Sequence, residues 1–328
     1  MGIQYLNNYI KKNANHDSIM KVSFQDLSNK IIAIDTSIYL YRFLAEDSLL
    51  ENLYVMISLF KYYNIIPIFV FDGRPPVEKL NLINKRNIEK NNAEKECNEM
   101  EKKLFLAKNE NQRNEIIASI SSLKKKFIRI KKNDFNNVRK LFDAFGVYHI
   151  EAIGEADELC ARLVIKKYAY ACLSEDMDLF LYGCPRVLRY LSLFNQSVIV
   201  YHLDKILKDL DLTFQEFKEI CVVSGTDYNI QNGLNLYKIL DYFKQYKEFK
   251  KLNNSKDSNN SKDSKDFYTW LDENKKCIDN LYKLYNTYHM FQTDNNKLPN
   301  LKTINLNKES NIEKIKEIMK PEGFIFLE

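Results

Sequence analysis

The sequence predicts an α/β fold in which a parallel, twisted sheet is flanked by helices. Three short apolar runs, each ending in acidic residues, have the composition of buried parallel strands: 30–37, 65–73 and 168–178. Helical patterns separate them at 38–64 and 155–169. Because strands that alternate with helices form parallel sheets, we expect the acids to meet at the carboxyl edge, where such sheets hold their sites.

The stretch between the second and third runs predicts long charged helices instead of strands. From Arg74 to Lys132 it carries 16 Lys or Arg against 8 Glu, a net charge of +8 in a chain whose net charge is +5. Residues 121–132 predict one helix with a basic face (Lys125, Arg129, Lys132) and an apolar face (Leu123, Phe127, Ile130). Such a segment suits contact with a polyanion. A solvated charged helix pair explains the charge equally well.

The remainder of the chain predicts two more strands within 187–203 and then mainly helices. Residues 253–266 form a low-complexity tract, which we interpret as a disordered surface insertion. A helical pattern rich in aromatic residues resumes at 267–291. The sequence therefore predicts an α/β core at 1–205 and a mainly helical region at 206–328.

The composition is that of a globular protein, with 45% hydrophobic and 28% charged residues. No apolar run approaches the ~20 residues that span a bilayer, and the N-terminus lacks a signal-peptide core. Six scattered cysteines form no C-x-x-C pair, which favours a reducing, intracellular setting. Four isolated histidines make a histidine-based metal site a poor hypothesis. We expect a monomer that does not bind membranes.

Acids recur at predicted strand ends and helix starts. Taken singly, Glu155 reads as a helix cap and Asp227 as a turn residue, but Asp176 and Asp178 lie two residues apart and repel each other. Oxygen ligands without His or Cys select Mg²⁺ or Mn²⁺ over Zn²⁺. Two such ions activate a water and stabilise the leaving oxygen of a phosphodiester. The candidate ligands are Asp35, Asp72, Glu155, Asp157, Asp176, Asp178 and Asp227.

Six motifs then reveal a resemblance that covers about residues 1–240. "MGI", "IAIDTSIYLYRFL", "VFDGRPP", "GEADE", "SEDMDLFLYG" and "SGTDYN" occur in this order. Their order and spacing resemble the flap endonuclease family of XPG/Rad2-type, structure-specific 5′ nucleases. The resemblance implies a PIN-like sheet, a helical arch and gateway at about 77–145, and a C-terminal helix–two-turn–helix.

The resemblance also implies roles for the acids and for the basic residues near them. The first of two Mg²⁺ ions, replaceable by Mn²⁺, would bind Asp35, Asp72, Glu155 and Asp157. The second would bind Asp178 and Asp227, with Asp176 between the two. Lys79 and Arg86 would contact the scissile phosphate, although from the residues alone Arg86 could be an ordinary surface arginine.

Further positions are implied to bind DNA. Tyr41 would stack on the nucleobase beside the cut, although a tyrosine on an apolar helix is more often part of the core. The basic arch and the duplex-binding hairpin would supply Lys125, Lys126, Arg129, Lys132 and Gly233.

Three departures from the family pattern limit these expectations. Gly233 is present, but Asn235 stands where the second glycine of a potassium-binding hairpin is expected, so K⁺ binding is left open. Asp157 replaces a more usual glutamate. The C-terminal "IMKPEGFIFLE" lacks the peptide motif that binds sliding clamps.

The function expected from the sequence is metal-dependent cleavage of DNA at 5′ flaps or junctions, with 5′ exonuclease action as a second mode. Two alternatives stay open: an inactive scaffold that binds junction DNA, and a 5′→3′ exonuclease acting on RNA. The enzyme would work in the nucleus or at another site of DNA replication, such as a viral factory. The Asn-, Ile- and Lys-rich composition hints at a protist or a large DNA virus.

Overall fold

The computed structural model describes residues 3–107, 109–229, 234–254, 266–292, 306 and 308–326. The strands, in chain order, are β1 (Ile19–Ser23), β2 (Ile31–Asp35), β3 (Ile66–Phe71), β4 (Tyr148–Glu151), β5 (Ala171–Leu173), β6 (Arg186–Ser192) and β7 (Ser197–His202).

Helices make up most of the remaining described structure. They are α1 (Leu6–Asn13), α2 (Thr36–Ala45), α3 (Leu49–Tyr62), α4 (Leu80–Leu106), α5 (Glu110–Lys126), α6 (Lys132–Phe145), α7 (Ala156–Ile165), α8 (Leu203–Asp209), α9 (Phe214–Val223), α10 (Leu236–Asn254), α11 (Phe267–Lys275), α12 (Leu281–Met290) and α13 (Ile312–Met319).

The chain divides into two compact units, each built from two stretches of sequence. We call Leu27–Ala156 with Lys302–Glu328 the helical-hairpin unit, and Met1–Asp26 with Asp157–Leu301 the acidic-loop unit. This division reflects packing. Each unit combines one terminal stretch of the chain with a longer internal stretch. It does not address whether 1–205 and 206–328 are separate functional regions, and that boundary stays a prediction.

The helical-hairpin unit is built on a parallel ladder in the order β2–β3–β4. Apolar strands bury nearly every residue of β2 and β3, as predicted from their composition. Helix α6 packs on β3, where the rings of Phe69 and Phe142 stack 4.1 Å apart. The C-terminal helix α13 packs on α6 through Ile315 and Met319, and Phe324 then lies 4.7 Å from the ring of Tyr54.

Helices α4 and α5 form a long antiparallel hairpin in the charged segment. Their contact is a small apolar core of Ala93 and Cys97 against Ile120 and Leu123. The predicted helical character of 77–145 is therefore confirmed.

The single helix predicted across 121–132 is wrong, because α5 ends at Lys126 and α6 starts at Lys132. Asp134 accepts a hydrogen bond of 2.7 Å from the Lys131 backbone N–H, which caps a new helix at this point. The β-branched Ile128 and Ile130 also have lower helix propensity than the lysines before them. The predicted alignment of basic residues on one face consequently does not exist.

The acidic-loop unit combines parallel and antiparallel pairing. Strands β5 and β6 are parallel, whereas β7 pairs antiparallel with β6 and with β1. The sheet is thus mixed, because the tight turn between β6 and β7 can only join antiparallel neighbours. Helices α10 and α11 meet through aromatic rings, with Phe243 and Phe267 4.9 Å apart.

The predicted insertion at 253–266 falls mostly outside the described residues. Its ends are described: Asn254 closes α10, and Asp266 caps α11 by accepting a hydrogen bond of 2.9 Å from the Thr269 N–H. The predicted helical pattern beyond it is confirmed by α11 and α12. Within the described ranges, no helix is long and apolar enough to cross a membrane.

Lys218 on α9 gives this unit a testable pH dependence. Only 4% of the residue is exposed, and burial lowers the pKa of its ammonium to about 8. The Tyr288 ring, 4.3 Å from Nζ, offsets only part of the desolvation. Because the unfolded lysine titrates near 10.4, the unfolded state binds more protons between about pH 8 and pH 10, and stability rises there.

We therefore expect Lys218→Met to stabilise the protein most below about pH 8, where Lys218 is protonated in both the folded and the unfolded protein. The gain should reach at most about 3 kcal/mol and should shrink toward pH 10. Urea unfolding of both proteins from pH 7 to pH 10 measures it. A constant difference across this range would contradict the assignment.

Candidate functional site

Two acids of the helical-hairpin unit stand at the carboxyl ends of neighbouring parallel strands. Asp35 is the last residue of β2 and precedes α2, with only 6% of its surface exposed. Asp72 follows β3 directly and accepts a hydrogen bond of 2.9 Å from the Ala156 N–H. This contact holds the Asp72 carboxylate against the backbone of Ala156, in the same unit.

Gly73, next to Asp72, is required by the close approach of two backbones. A Cβ atom on Gly73 would lie 1.9 Å from the Ala152 carbonyl oxygen. The Gly73 N–H donates to the Gly154 carbonyl (2.8 Å) in the same crossing. The "FDG" motif therefore brings the chain after β3 against the segment that leads to Glu155.

Lys79 and Glu155 form an ion pair in this unit. The Lys79 Nζ donates to Glu155 Oε1, and both side chains are largely buried, at 15% and 13% exposure. Lys79 lies in the short 3-10 turn that precedes α4. The predicted metal ligand and the predicted phosphate contact are thus brought together, and each offsets the charge of the other.

Tyr41 faces a cation that sequence reasoning missed. The Lys90 Nζ lies 4.8 Å from the centre of the Tyr41 ring and donates to the Ile128 carbonyl (2.9 Å). Burial lowers the pKa of Lys90, and the positive charges of Arg129 and Arg86 lower it further. The sequence did contain a signal for Lys90: it lies four residues after Arg86, so the two side chains are neighbours on the same helix face.

Tyr41 itself is partly exposed, so it is not the core residue that its helix pattern allowed. Burial raises the pKa of its hydroxyl, and the negative charge of Asp72 raises it further. Tyr41 and Asp72 are therefore close enough to interact.

The remaining predicted basic residues are exposed but do not form one face. Arg129 is held by Glu94 (2.8 Å) and by Asn91 (2.6 Å) on α4. Lys125 and Lys126 lie in the last turn of α5, and Lys132 begins α6. The structure thus distributes them over the end of the hairpin and the start of the next helix.

The second group of acids belongs to the acidic-loop unit. Residues Ser174–Asp178, which we call the acidic loop, follow β5 directly. The Asp176 N–H donates to Ser174 Oγ (3.1 Å), and Asp176 Oδ1 accepts from the Asp178 N–H (3.0 Å). Asp178 is only 3% exposed, and it contributes to the raised pKa of the Cys221 thiol, after burial. Two carboxylates are therefore kept close together within one tight loop.

Asp227 lies in a turn that is held in place by hydrogen bonds between the neighbouring residues. The buried Asn229 accepts hydrogen bonds from the Thr226 N–H (3.1 Å) and Oγ1 (2.6 Å), and its amide donates to the Val222 carbonyl (2.8 Å). Asp227 is partly exposed between them. The turn is thus rigid for local reasons.

Two other predicted positions in this unit have different outcomes. Asp157 lies buried in the first turn of α7 and accepts from the Glu158 N–H (2.6 Å). Gly233 lies outside the described residues. Asn235 caps α10 by accepting a hydrogen bond of 3.0 Å from the Lys238 N–H, a role that glycine lacks the side chain to fill.

The donor chemistry of both groups fits a hard divalent cation. Every predicted ligand offers carboxylate oxygens, and Asp35, Asp157 and Asp178 are buried where an unbalanced charge is costly. Among the residues that the structure describes, however, no three His, Cys, Asp or Glu side chains are arranged as a metal site. Backbone N–H groups donate hydrogen bonds to several of these carboxylate oxygens instead.

Two sequence profiles of known families match the chain. The XPG N-terminal domain matches residues 1–93, and the XPG I-region matches residues 146–227. The first includes Asp35, Asp72, Lys79 and Arg86, and the second spans the acids from Glu155 to Asp227.

Curated relatives and solved structures agree with these profiles. Flap endonuclease 1 of Methanococcus aeolicus is 30% identical over 246 residues, which cover 70% of each chain. That of Cryptosporidium muris is 31% identical, over 74% of this chain and 56% of its own length. The catalytic core of Rad2 in complex with DNA substrate is similar in fold, with a TM-score of 0.66, 22% identity and coverage of 98% and 95%.

The likeness to Rad2 confirms the predicted PIN-like α/β fold with helices around a sheet, which here is mixed. The identity and coverage of the archaeal relative confirm the predicted family. The chain belongs to the XPG/Rad2-type flap endonuclease family of metal-dependent, structure-specific 5′ nucleases, which hydrolyse phosphodiester bonds in DNA during replication and repair.

Proposed function

We propose that this chain cleaves DNA at the junction between a 5′ single-stranded flap and duplex, with catalysis by two Mg²⁺ ions. The observation that carries this proposal is the placement of the family's acids. Each lies at a strand end, in a tight loop or turn, or beside the first turn of a helix. The backbone at such positions has a fixed conformation, so these carboxylates would lose little backbone freedom when cations draw them together.

By analogy with the family, Asp35, Asp72, Glu155 and Asp157 would hold mainly the first ion. Asp178 and Asp227 would hold the second, with Asp176 between. When bound, the ions would supply an activated water and charge stabilisation for the leaving oxygen. Lys79 and Arg86 would place positive charge where the phosphate gains negative charge in the transition state. Tyr41, steadied by Lys90, would stack on the base next to the cut.

Binding of the DNA would depend on phosphate contacts rather than on base readout. Lys125, Lys126, Arg129 and Lys132 are exposed and would meet the flap or the duplex backbone without fixing sequence. Gly233 and the start of α10 would contact duplex phosphates.

The place of action would be a site of DNA replication or repair, nuclear or viral, with the enzyme acting as a monomer. Two alternatives predict different behaviour. A scaffold would bind junction DNA without needing its acids, and an RNA exonuclease would prefer strands with 2′-hydroxyls.

The test is cleavage of a 5′-labelled double-flap DNA in Mg²⁺, beside the same duplex without a flap and the flap strand alone. We expect cuts within about a nucleotide of the junction, because proximity and orientation depend on the junction. Replacing the flap strand and then the duplex strands by RNA should slow the reaction. Binding without cleavage in both Mg²⁺ and Mn²⁺ would favour the scaffold, and faster cleavage of RNA would favour the exonuclease.

A further inference from the structure

A buried arginine on β6 holds the acidic loop from one side. Arg189 is 6% exposed, and its Nη2 donates to the Glu175 carbonyl (2.8 Å) and lies 3.4 Å from Glu175 Oε2. Its Nη1 lies 2.8 Å from the Met177 Sδ. The guanidinium therefore contacts the residues on both sides of Asp176.

A second contact secures Glu175 to the same strand. The Tyr190 N–H donates to Glu175 Oε1 at 2.5 Å. Tyr190 has a left-handed backbone, with φ of 56°, at the irregular pairing between β6 and β7. This conformation is uncommon for a bulky residue, and it is kept where contacts over-determine it.

Helix α1 completes the network through Asn7. Asn7 Oδ1 accepts from Arg189 Nη1 (2.7 Å) and from the Tyr201 hydroxyl (2.9 Å), and its Nδ2 donates to the Tyr190 hydroxyl (2.7 Å). The Asn7 amide thus binds Arg189 Nη1 and contacts residues of both β6 and β7. The N-terminal helix is thereby linked to the acidic loop through Arg189 and Tyr190.

The arrangement has an electrostatic as well as a geometric consequence. The acidic loop carries Glu175, Asp176 and Asp178, whose mutual repulsion disfavours a compact loop in the absence of cations. The guanidinium supplies a permanent positive charge, since arginine does not deprotonate in proteins. Its planar fork donates to Asn7 and Glu175 from two separate nitrogens, whereas a lysine would have to reach both acceptors from one nitrogen.

We propose that Arg189, supported by Asn7, is a positioning residue that holds Asp176 and Asp178 in the geometry that binds metal. The proposal rests on the function proposed above, in which these two acids are metal ligands. It predicts that metal affinity depends on a helix at the N-terminus that contributes no ligand.

The test compares Arg189→Lys with Arg186→Lys on the same strand. Arg186 is a matched control, because its Nε donates to the Tyr170 carbonyl (2.7 Å) and its guanidinium lies 4.4 Å from the Tyr170 ring. Mn²⁺ binding is measured by calorimetry without DNA, and thermal unfolding checks the fold. We expect Arg189→Lys to weaken Mn²⁺ binding about 10-fold, the low end of the effect of losing a direct partner of a metal ligand, because Arg189 contacts the neighbours of Asp176. Arg186→Lys should bind Mn²⁺ like the natural protein.

Cleavage kinetics separate positioning from general damage. At saturating DNA, Arg189→Lys should need more Mn²⁺ for half-maximal rate, and high Mn²⁺ should restore most of kcat. Equal Mn²⁺ binding by the two lysine variants would overturn the proposal.

A second pair of variants decides the matter if Arg189→Lys does not fold. Asn7→Asp keeps the acceptor for Arg189 and Tyr201 and should retain Mn²⁺ affinity, whereas Asn7→Leu removes it and should lose affinity. Equal affinity of these two variants would contradict the proposal. A natural protein that binds no Mn²⁺ would instead overturn the proposed two-metal function.

Discussion

Replacing Asp176 and Asp178 together by asparagine is expected to abolish cleavage while leaving DNA binding intact. Each metal contributes several kcal/mol to transition-state stabilisation, and about 1.4 kcal/mol corresponds to a tenfold change in rate, so we expect a loss of at least about 10³-fold. Asparagine at position 176 can still accept from the residue 178 N–H, now 3.0 Å from Oδ1. The acidic loop should therefore keep its shape.

DNA binding should respond in the opposite direction. The double substitution removes two negative charges that would repel the phosphates of DNA, so affinity at low salt should stay equal or rise. Cleavage of the double-flap DNA, DNA binding in Ca²⁺-free low-salt buffer and Mn²⁺ stoichiometry are the measurements. The natural protein should bind two Mn²⁺ ions, and the double variant fewer.

The matched control removes the same charge elsewhere in the acidic-loop unit. Asp204 and Asp211 are exposed, and Asp204→Asn, Asp211→Asn changes the net charge by the same amount. Asn also suits the left-handed backbone at position 211, where φ is 52°. This control should cleave normally. Substantial cleavage by the Asp176, Asp178 variant would instead contradict the metal-ligand assignment.

The strands that carry acids could be predicted because their signal is local. The runs ending at Asp35, Asp72 and the acidic loop are continuous apolar segments, and burial on both faces of a parallel strand requires that composition. The placement of each acid follows from where its strand stops. No long-range contact is needed to predict it.

The sequence does not predict the edge strands β1 and β4, because they lack a continuous apolar run. Tyr148–Glu151 is short and only half-buried, and Ile19–Ser23 mixes exposed and partly buried residues. Edge strands need little apolar surface, so their composition resembles that of loops. The helix break between Lys126 and Lys132 was missed because one capping aspartate outweighed a continuous helical pattern.

The residues that support the site depend on contacts between distant parts of the chain. Arg189 and Asn7 are separated by more than 180 positions, and neither stands in a motif. Lys90 on α4 contacts Tyr41 on α2, although α3 and β3 lie between these two helices in the sequence. Sequence patterns identify groups whose chemistry is local, whereas partners that orient those groups are set by tertiary packing.

Lys79→Met is the second substitution with a large expected effect, and it separates two roles of one side chain. In the structure Lys79 pairs with Glu155, a predicted metal ligand, and both are largely buried. In the reaction Lys79 would stabilise charge on the phosphate. Removing a donor of that kind costs about 10²–10³ in kcat. Loss of the ammonium also removes a cation that competes with metal for Glu155, so Mn²⁺ affinity should stay equal or rise.

A lower cleavage rate with equal or higher Mn²⁺ affinity would therefore identify Lys79 as a phosphate contact and not as a residue that orients Glu155. Lys85→Met serves as the control, because Lys85 is exposed on α4 and should affect neither quantity. Single-turnover cleavage at saturating Mg²⁺ and Mn²⁺ calorimetry without DNA give the two values. If Lys79→Met instead weakens Mn²⁺ binding and high metal restores its rate, the lysine acts by orienting Glu155. A catalytic charge on the phosphate predicts a rate defect that no metal concentration repairs.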